Sequence, residues 1–410
     1  MLCVLALAAP AGAAAKTILG VTGNTDRFQG QTAQDSLVDS AFLGWNQGVS
    51  YGSPLPVLFK TLAPIPMIHI GTYGKSGKGE IVTPASIADG KGDPYLAKVN
   101  QAISQWGNAI YVRPLAEMNN GGNIWSAYTS SGAVRGAAYT PAEYRKAFAR
   151  IYLLLHGGTA ADLTAKLKAL GMPGVTNDFL VNAFPRLRVL WSPLAGGTPK
   201  VAGNDPKNYY PGDAYVDVAG GDIYKEAGSA PPWNALAALD AIAKAHHKPF
   251  SVPEWGLFSV DDPSFVNDMC AFLKAHADTE MSGFYESKDG GIFDLGDKPN
   301  SRKAYRDCIT PLAKPLPSWA KGGPGSAKKF ALKLIPDDDS GASPLKVDFT
   351  IAAKLSVPIV HWQVVFGDGD TTEGDGRLRR ASSTPTRTGA TRRSCSSTRR
   401  RRSPPQWPSS

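Results

Sequence analysis

The sequence predicts a (β/α)8 barrel, the TIM-barrel architecture, followed by a small β-sandwich-like segment and a disordered basic tail. Eight short apolar stretches alternate with helix-like stretches over roughly 300 residues, as parallel strands joined by helices do. The rival fold is a doubly wound open sheet, which usually carries a glycine-rich phosphate-binding turn after its first strand. Here that turn reads GVTGNTDRF and lacks GxGxxG, which favours the barrel.

Each strand candidate is a short apolar run bounded by turn-forming residues. The eight candidates fall at 16–23, 42–48, 65–73, 109–118, 187–195, 214–224, 249–256 and 281–287.

Helix-like periodicity fills most of the intervals between these strands. The predicted helices fall at 31–41, 54–62, 93–107, 141–156, 160–170, 233–247, 263–277 and 301–312. The stretch GTYGKSGKGE at 71–80 does not fit the GxxxxGK[ST] frame of a phosphate-binding loop, so it is interpreted as a flexible loop.

The chain changes character after residue 312. Residues 313–327 are rich in Pro, Gly and Ala and predict a linker. Residues 328–376 alternate apolar and polar side chains and end in FGDGDTTEG, which indicates β-hairpins. This segment resembles the first half of a polycystic-kidney-disease (PKD) type immunoglobulin-like module. Residues 377–410 lack the alternation that would complete such a module, and they predict a disordered tail.

The tail also explains the basic net charge of +9. Residues 377–410 hold ten Arg and no acidic residue, so subtracting ten from +9 leaves −1 for residues 1–376. The folded part is close to neutral, and the basic tail has no aromatic residues interleaved among its arginines. Both features argue against a nucleic-acid partner. Two origins of the tail stay open, a frameshift at the end of the gene and a genuine basic arm.

Residues 1–15 contain an apolar run followed by AGAAA and predict a secretory signal peptide, hence a secreted or cell-wall-associated protein. No other segment reaches the roughly 18 apolar residues of a membrane span. The four cysteines form no CxxC or Cys/His cluster, which argues against a zinc site. Cys270 and Cys308 fall in helical patterns, and either a disulfide or two unrelated thiols fits the sequence.

The active site of such a barrel lies at the carboxyl ends of its strands. Glu117 ends the fourth predicted strand, and Glu254 ends the seventh. Paired carboxyls suit glycoside hydrolysis, in which one group donates a proton and the other attacks the anomeric carbon. Aromatic rings bind the apolar faces of sugars, and candidates at strand ends are Trp45, Trp125, Trp191, Trp255, Tyr224 and Tyr285.

The stretches RPLAEMNNGGNIW, VLWSP, YYPGDAYVDVAGGDIY and PEWG resemble glycoside hydrolase family 26, the β-mannanase family of clan A, over residues 17–312. The resemblance implies that Glu117 is the general acid/base and Glu254 the nucleophile. It also implies that Tyr224 contacts the nucleophile, that Trp125 binds sugar and that Arg113 is structural. Asn119 in the same stretch is a further candidate substrate contact.

One position departs from the family pattern. Many members carry His immediately before the acid/base glutamate, where this chain has Ala116. That histidine contributes to sugar contacts, so the departure bears on substrate more than on hydrolysis. His69, at the end of the third predicted strand, is the alternative polar contact, and a core histidine is the competing interpretation.

The resemblance implies a secreted, retaining endo-β-glycanase of the β-1,4-mannanase type that needs no metal or organic cofactor. Retention requires carboxyl groups roughly 5 to 5.5 Å apart. The expected partner is a β-mannan or related polysaccharide, and the expected state is a monomer. The alternatives are a β-1,3-xylanase or mixed-linkage glucanase, and a non-catalytic carbohydrate-binding protein of the cell surface.

Overall fold

The computed structural model describes residues 16–62, 64–77 and 79–321, together with six strands between residues 331 and 394. They fall into two compact units, Met1–Ser326 and Ala327–Ser410. The signal peptide predicted at 1–15 lies outside the described residues.

The first unit is a closed barrel of parallel strands surrounded by helices, which confirms the predicted fold class. Its strands are β1 (Ile18–Gly23), β2 (Val38–Leu43), β3 (Ile65–Ile70), β4 (Ile110–Pro114), β5 (Leu187–Trp191), β6 (Val218–Gly220), β7 (Ile223–Glu226), β8 (Phe250–Phe258) and β9 (Met281–Ser287). Neighbouring strands pair in parallel around the ring, and β9 pairs with β1 to close it.

Nine strands make eight barrel positions because β6 and β7 are two halves of one interrupted strand. The first half pairs with both β5 and β8, and the second half pairs with β8. The interruption falls at Gly221 and Asp222. Asp222 instead exchanges backbone hydrogen bonds with the segment after β5, accepting from the Ala195 amide at 2.8 Å and donating to the Pro193 carbonyl at 3.0 Å.

Helices cover the outside of the barrel, where the strands bury their outward-facing apolar side chains. They are α1 (Thr25–Thr32), α2 (Leu55–Thr61), α3 (Pro84–Ala88), α4 (Asp93–Trp106), α5 (Pro141–His156), α6 (Ala160–Ala169), α7 (Trp233–Ala245), α8 (Pro263–Ala275) and α9 (Pro299–Ala304). No helix in the described ranges has both the length and the apolar content needed to cross a bilayer.

The region after β1 differs from the sequence prediction. The helix predicted at 31–41 is wrong, because β2 occupies its second half and replaces the strand predicted at 42–48. The helix α1 forms earlier, where the Asn24 side chain caps it by accepting from the Arg27 amide at 3.0 Å. It ends at Ala33, whose left-handed backbone (φ 59°) stops the helix before the next strand.

The disulfide question is settled by the helices that follow β8. Cys270 in α8 bonds to Cys308 in the π-helical turn Tyr305–Ile309, with the two Cα atoms 6.0 Å apart. The bond links this π-helical turn to α8. It constrains the unfolded chain through a loop of 38 residues.

Residues 313–321, which the sequence assigns to a linker, pack against the end of the barrel where the strands begin. The Lys314 amide donates to the Thr17 carbonyl at 2.8 Å. The Trp319 ring lies 3.9 Å from the Arg188 guanidinium carbon, and Ala320 is buried. They share a core with the first residues of several strands, among them Ile18, Val38, Ile65, Val218 and Met281. This segment is therefore part of the barrel unit.

The second unit contains two antiparallel sheets. Its strands are β10 (Ala331–Pro336), β11 (Val347–Lys354), β12 (His361–Val365), β13 (Thr371–Asp375), β14 (Ala381–Pro385) and β15 (Thr391–Ser394). One sheet has the order β10-β11-β14-β15, and the other pairs β12 with β13. The last two strands fall in the tail, where the sequence pattern does not predict them, and the rest of the tail lies outside the described residues. The PKD-like assignment stays a prediction.

Candidate active site

Five polar side chains meet at the carboxyl ends of the barrel strands. Arg113 lies in β4, and Glu117 follows three residues after this strand ends. Asp222 lies in the break between β6 and β7, Tyr224 in β7 and Glu254 in β8. Because all these strands run in parallel, the residues converge at one end of the barrel, as the sequence predicts for Glu117 and Glu254.

The backbone that presents Glu117 is strained. Leu115 and Glu117 both adopt left-handed conformations, with φ of 48° and 50°, which non-glycine residues rarely occupy. The conformation is fixed by neighbours on both sides. The Glu117 amide donates to the Ser192 carbonyl at 2.8 Å, and the Asn123 side chain donates to the Glu117 carbonyl at 3.0 Å. Strain held this firmly is a hallmark of functional positions.

Arg113 connects the carboxylates. It is only 1% exposed, and its Nη1 donates to Glu254 Oε2 at 2.5 Å. Its Nη2 donates to Asp222, and its Nε donates to Ser192 Oγ at 2.8 Å. The carboxylates around it raise the pKa of Arg113 in spite of its burial. A buried guanidinium that donates a hydrogen bond from each of its three nitrogens holds the two carboxylates in fixed geometry.

Glu254 has both carboxylate oxygens engaged. Oε2 accepts from Arg113, and Oε1 accepts from the Tyr224 hydroxyl. Donors of this kind stabilise the ionised form of a carboxyl group, which is the nucleophilic form. Burial and the nearby charges of Glu254 and Glu117 raise the pKa of Tyr224 well above its usual range, so its hydroxyl keeps the proton that it donates.

Glu117 has the opposite environment. Burial, followed by the negative charge of Glu254, raises the pKa of Glu117 to about 7. Arg113 and the hydrogen bond from Asn120 Nδ2 to Glu117 Oε2 at 2.8 Å act in the lowering direction. One carboxyl is thus protonated near neutrality while its neighbour is surrounded by donors. Such a division suits an acid and a nucleophile.

Asp222 is the residue that sequence reasoning left out of the site. It is fully buried, accepts from Arg113 and from Ser192 Oγ at 3.2 Å, and interacts with Glu117. Burial is the largest cause that raises the pKa of Asp222 well above its ordinary value. Asp222 falls near the end of the sixth predicted strand, two residues before Tyr224, and lies in the break between β6 and β7.

Aromatic side chains line the site beside β2, β3 and β9. Trp125 is anchored by a hydrogen bond from its Nε1 to the Ala116 carbonyl at 3.0 Å, and Tyr73 stacks on it at 6.2 Å. Tyr285 is half-buried and contacts the rings of Phe42 and Tyr224 edge-on. The structure thus brings Tyr224 and Tyr285 to the same region as the carboxylates. Trp125 lies beside this region but is only 4% exposed and belongs to the core, so its predicted contact with sugar is corrected.

His69 lies in β3 between the rings of Phe42 and Trp125, at 4.6 and 5.9 Å. It is 7% exposed, and neither ring nitrogen has a hydrogen-bond partner among the described residues. Burial, with the Arg113 charge adding to it, lowers the pKa of His69 well below its ordinary value. A neutral imidazole whose nitrogens lack hydrogen-bond partners could bond a polar group of a ligand at the site.

Four other predicted contacts are corrected. The side chains of Trp45, Trp191 and Trp255 are at most 2% exposed and belong to the core, so they present no face to a sugar. Asn119 is fully buried, and its amide exchanges hydrogen bonds with the backbone of Leu194 at 2.8 Å. It therefore braces the loop after β5. These three tryptophans instead fill the apolar layer between strands and helices, where large rings bury much surface.

A groove of about 290 Å³ extends from Glu117 and Tyr224 along the loops that follow β5 and β7. Its walls include Asn120, Thr198, Lys200, Glu226 and Ser229. Glu254 is not among the residues lining it, so the groove opens on the side of the protonated carboxyl. Within the described residues, no group of three His, Cys, Asp or Glu side chains is arranged to hold a metal ion.

Comparison with protein-family models and with curated proteins finds no match. Similar solved structures include a mannanase from Bacillus subtilis, with 19% identity and a TM-score of 0.48, covering 72% of this chain and 86% of that one. A family 26 β-mannanase from Bacteroides ovatus has 12% identity and a TM-score of 0.44, covering 73% and 88%.

A β-mannanase from a symbiotic protist of the termite Reticulitermes speratus, complexed with a gluco-manno-oligosaccharide, has 16% identity and a TM-score of 0.45, covering 72% and 87%. Identities and scores this low establish neither a shared substrate nor a shared mechanism, so function depends on the residues of the site.

Proposed function

We propose that the chain is a retaining endo-β-glycanase with Glu117 as general acid/base and Glu254 as nucleophile. The observation that carries the proposal is the contrast between two neighbouring carboxyls. Burial and the charge of Glu254 raise the pKa of Glu117 to about 7, whereas Glu254 accepts hydrogen bonds from Arg113 and Tyr224. Glycoside hydrolysis needs one protonated and one ionised carboxyl at the same bond.

The first step breaks the glycosidic C–O bond. Glu117 gives its proton to the leaving oxygen while Glu254 attacks the anomeric carbon and forms a glycosyl ester. In the second step Glu117, now ionised, takes a proton from water, and the water oxygen displaces Glu254 from the anomeric carbon. Arg113 and Tyr224 stabilise the Glu254 carboxylate before attack and as it departs.

The substrate is expected to lie across both halves of the site. The half-buried ring of Tyr285 is proposed to pack on the C–H faces of the glycone. Trp125, which is only 4% exposed, supports this aromatic cluster from within the core. The groove past Glu117 suits the leaving group, because the proposed proton donor lines it together with polar side chains such as Asn120, Thr198 and Lys200. Cleavage within a chain is proposed on the resemblance of the site stretches to family 26.

The polysaccharide is proposed to be a β-1,4-mannan, on the resemblance of the stretch around Glu117 to family 26 enzymes. Ala116 removes the polar contact that a histidine would supply there, and His69 is proposed to provide one instead. A purified panel of β-mannan, β-1,3-xylan and mixed-linkage β-glucan, with product sizing, tests the assignment. Faster hydrolysis of either of the latter two would transfer the proposal to that substrate.

Export and a monomeric state complete the proposal. The Cys270–Cys308 disulfide supports an oxidising compartment, where such bonds persist. Residues 1–15 support the same destination through their composition. Secretion of the protein into the medium by its native host, with loss of residues 1–15 from the mature chain, would test export directly.

The roles of the two glutamates are tested by azide rescue with an aryl β-glycoside of the preferred sugar. Glu254→Ala lacks the nucleophile, so azide should attack once and give the α-glycosyl azide. Glu117→Ala still forms the glycosyl ester when the leaving group is activated, so azide should give the β-glycosyl azide. Exchanged products, or an α-product released first by the wild type, would contradict the assignment.

Glu226→Ala is the matched control, because Glu226 lines the same groove but is exposed. It should keep most of the hydrolytic activity. The non-catalytic alternative predicts a different set of results, in which wild type and Glu254→Ala bind a soluble β-glycan equally and neither releases reducing ends from any member of the panel.

A further inference from the structure

The loop after β9 brings an aromatic ring to the nucleophile's partner. This loop, residues 288–298, is called the Phe293 loop below. The Phe293 ring centroid lies 4.7 Å from that of Tyr285 and 5.5 Å from that of Tyr224. Tyr224 in turn donates its hydroxyl to Glu254. Phe293 therefore packs against Tyr224, the tyrosine that, among the described residues, donates a hydrogen bond to the proposed nucleophile.

A glycine in β8 favours this close approach. Gly256 follows Glu254 by two positions in β8. A Cβ at this position would lie 3.2 Å from Tyr224 Cε1 and 3.5 Å from Phe293 Cδ1. The absence of a side chain spares the Tyr224 ring a shift of a few tenths of an ångström, whereas the Phe293 ring would be in ordinary van der Waals contact.

The Phe293 loop is fixed by Arg27 of α1. Arg27 Nη1 donates to Asp294 Oδ2 at 2.7 Å, and its Nη2 donates to Glu286 Oε1 at 2.9 Å. The side chains of Asp294 and Glu286 are 2% and 0% exposed. Charge pairs shielded in this way hold their geometry far better than pairs at the surface.

Further contacts fix the backbone on both sides of Phe293. The buried Lys298 donates its Nζ to the carbonyls of Ile292 and Asp294, at 3.0 and 2.6 Å. The Asp294 carboxylate also accepts from the amides of Gly290 and Gly296, at 2.7 and 2.6 Å. An ammonium that binds the carbonyls immediately before and after one residue determines where its side chain points.

We propose that Phe293, held by Arg27, Asp294 and Lys298, is a positioning residue that keeps the Tyr224 hydroxyl on Glu254. The inference rests on the proposed function. The charged residues under the Phe293 loop make no described hydrogen bond to Glu117 or Glu254, so they act on the reaction through the ring contact between Phe293 and Tyr224.

The first test is Phe293→Ala assayed on the preferred polysaccharide. We expect kcat to fall by about 10- to 100-fold, as a displaced catalytic partner causes, while KM stays within about twofold. Phe293→Tyr keeps the ring and should restore most of kcat. A rise in KM with kcat unchanged would overturn the proposal, because it would make Phe293 a sugar-binding surface instead.

Phe258→Ala is the matched control for loss of a ring. Phe258 packs on Phe293 at 5.2 Å from the solvent side, is 42% exposed, and makes no ring contact with Tyr224 in the described part of the chain. It should leave kcat within about twofold. A second pair of variants tests the Phe293 loop. Asp294→Ala should lower kcat as Phe293→Ala does. Asp289→Ala, which removes only an 83% exposed partner of Arg27, should leave kcat within about twofold.

A double-mutant cycle identifies the route of the effect. If Phe293 acts through Tyr224, adding Phe293→Ala to Tyr224→Phe should lower kcat by no more than about twofold beyond Tyr224→Phe alone. Multiplication of the two separate losses would overturn the proposal. Thermal melts of all variants identify any that lose activity by unfolding. If Phe293→Ala is one of these, the kcat of the folded Phe293→Tyr variant is compared with that of the wild type instead.

A crystal structure of Phe293→Ala gives a result that needs no activity. We expect the Tyr224 hydroxyl to leave hydrogen-bond distance of Glu254, and an unchanged hydrogen bond would overturn the proposal. Failure of the proposed function would look different, since the wild type itself would then hydrolyse no β-glycan whatever the position of Tyr224.

Discussion

Replacing Glu117 by Gln should stabilise the protein at neutral pH while abolishing hydrolysis. Glu117 is held in a place that disfavours its charge, and the pKa of Glu117 is raised to about 7 by burial and by Glu254. Glutamine keeps the shape of the protonated acid and never ionises. The residue proposed to be the catalyst is therefore one that the fold would be more stable without.

The size of the effect follows from the pKa. A rise from the ordinary value of 4.5 to about 7, at about 1.36 kcal/mol per unit, corresponds to about 3 kcal/mol. For a barrel unit of roughly 300 residues, with an unfolding entropy of about 2.1 cal/mol/K per residue, this is about 5 °C in Tm.

The dependence on pH gives the prediction its sign. Because the pKa of Glu117 is higher in the folded state, the folded protein binds this proton more tightly than the unfolded chain does. This contribution to wild-type stability is complete below about pH 4.5 and is lost as pH rises to about 7. The Gln variant does not lose stability in this way as pH rises. Its free energy of unfolding should therefore exceed that of the wild type by almost nothing at pH 4 and by most at pH 8.

Thermal unfolding of both proteins at several pH values between 4 and 8 measures the advantage. Glu226→Gln is the matched control, because it removes a charge from the same groove at an exposed position, where water screens the charge. An advantage that is absent at pH 8, or that is the same at pH 4 and pH 8, would refute the electrostatic description of Glu117.

Three further predictions concern other parts of the molecule. Asn120→Ala removes a donor to the Glu117 carboxylate, so the pKa of Glu117 should rise and the basic limb of kcat/KM should move up by about one pH unit; a limb that stays in place contradicts this. Joint Cys270→Ser and Cys308→Ser substitution opens a 38-residue loop and should lower the free energy of unfolding by about 4 kcal/mol, and a loss under about 1 kcal/mol in denaturant titration would count against it. Lys200→Ala removes a cation from the groove and should raise KM for oligosaccharides about fivefold without affecting an aryl β-glycoside, whose leaving group does not fill the groove; equal effects on both substrates would argue against a leaving-group site there.

The barrel could be predicted because its pattern is repeated. Alternation of buried strands with amphipathic helices recurs eight times, and each repeat supports the others. The placement of Glu117 and Glu254 followed from the fold, since residues at the carboxyl ends of parallel strands share one end of a barrel. One misplaced helix at 31–41 left this outcome unchanged, because β2 still occupied its position in the ring.

Burial of individual side chains could not be predicted in the same way. Trp191 and Trp125 both lie near strand ends and look equivalent in sequence. In the structure both are buried in the same core, Trp191 at 0% and Trp125 at 4% exposed, but Trp125 lies beside His69 and donates a hydrogen bond to the carbonyl of Ala116, next to Glu117. The difference depends on the path of the chain after each strand, which is a property of tertiary packing.

Asp222 was missed for a related reason. It shares a strand face with Tyr224, two residues later, yet the sequence shows it only as one polar residue in an apolar run. The break between β6 and β7 and the hydrogen bonds to Ser192 and Arg113 arise only when distant strands meet. A buried arginine such as Arg113 requires more than one acceptor, and the search for a second carboxylate near it is the signal that would have found Asp222.

The packing of residues 313–321 on the strand starts determines where this protein can be divided. Residues 313–321 cover the strand starts, and Trp319 covers the Arg188 guanidinium. A protease or a gene fusion that cuts after Leu312 would uncover this base, whereas a cut after Lys321 would leave it intact. Exchange of the appended β module for another therefore has its natural junction beyond Lys321, nine residues later than the apparent end of the last helical turn at Leu312.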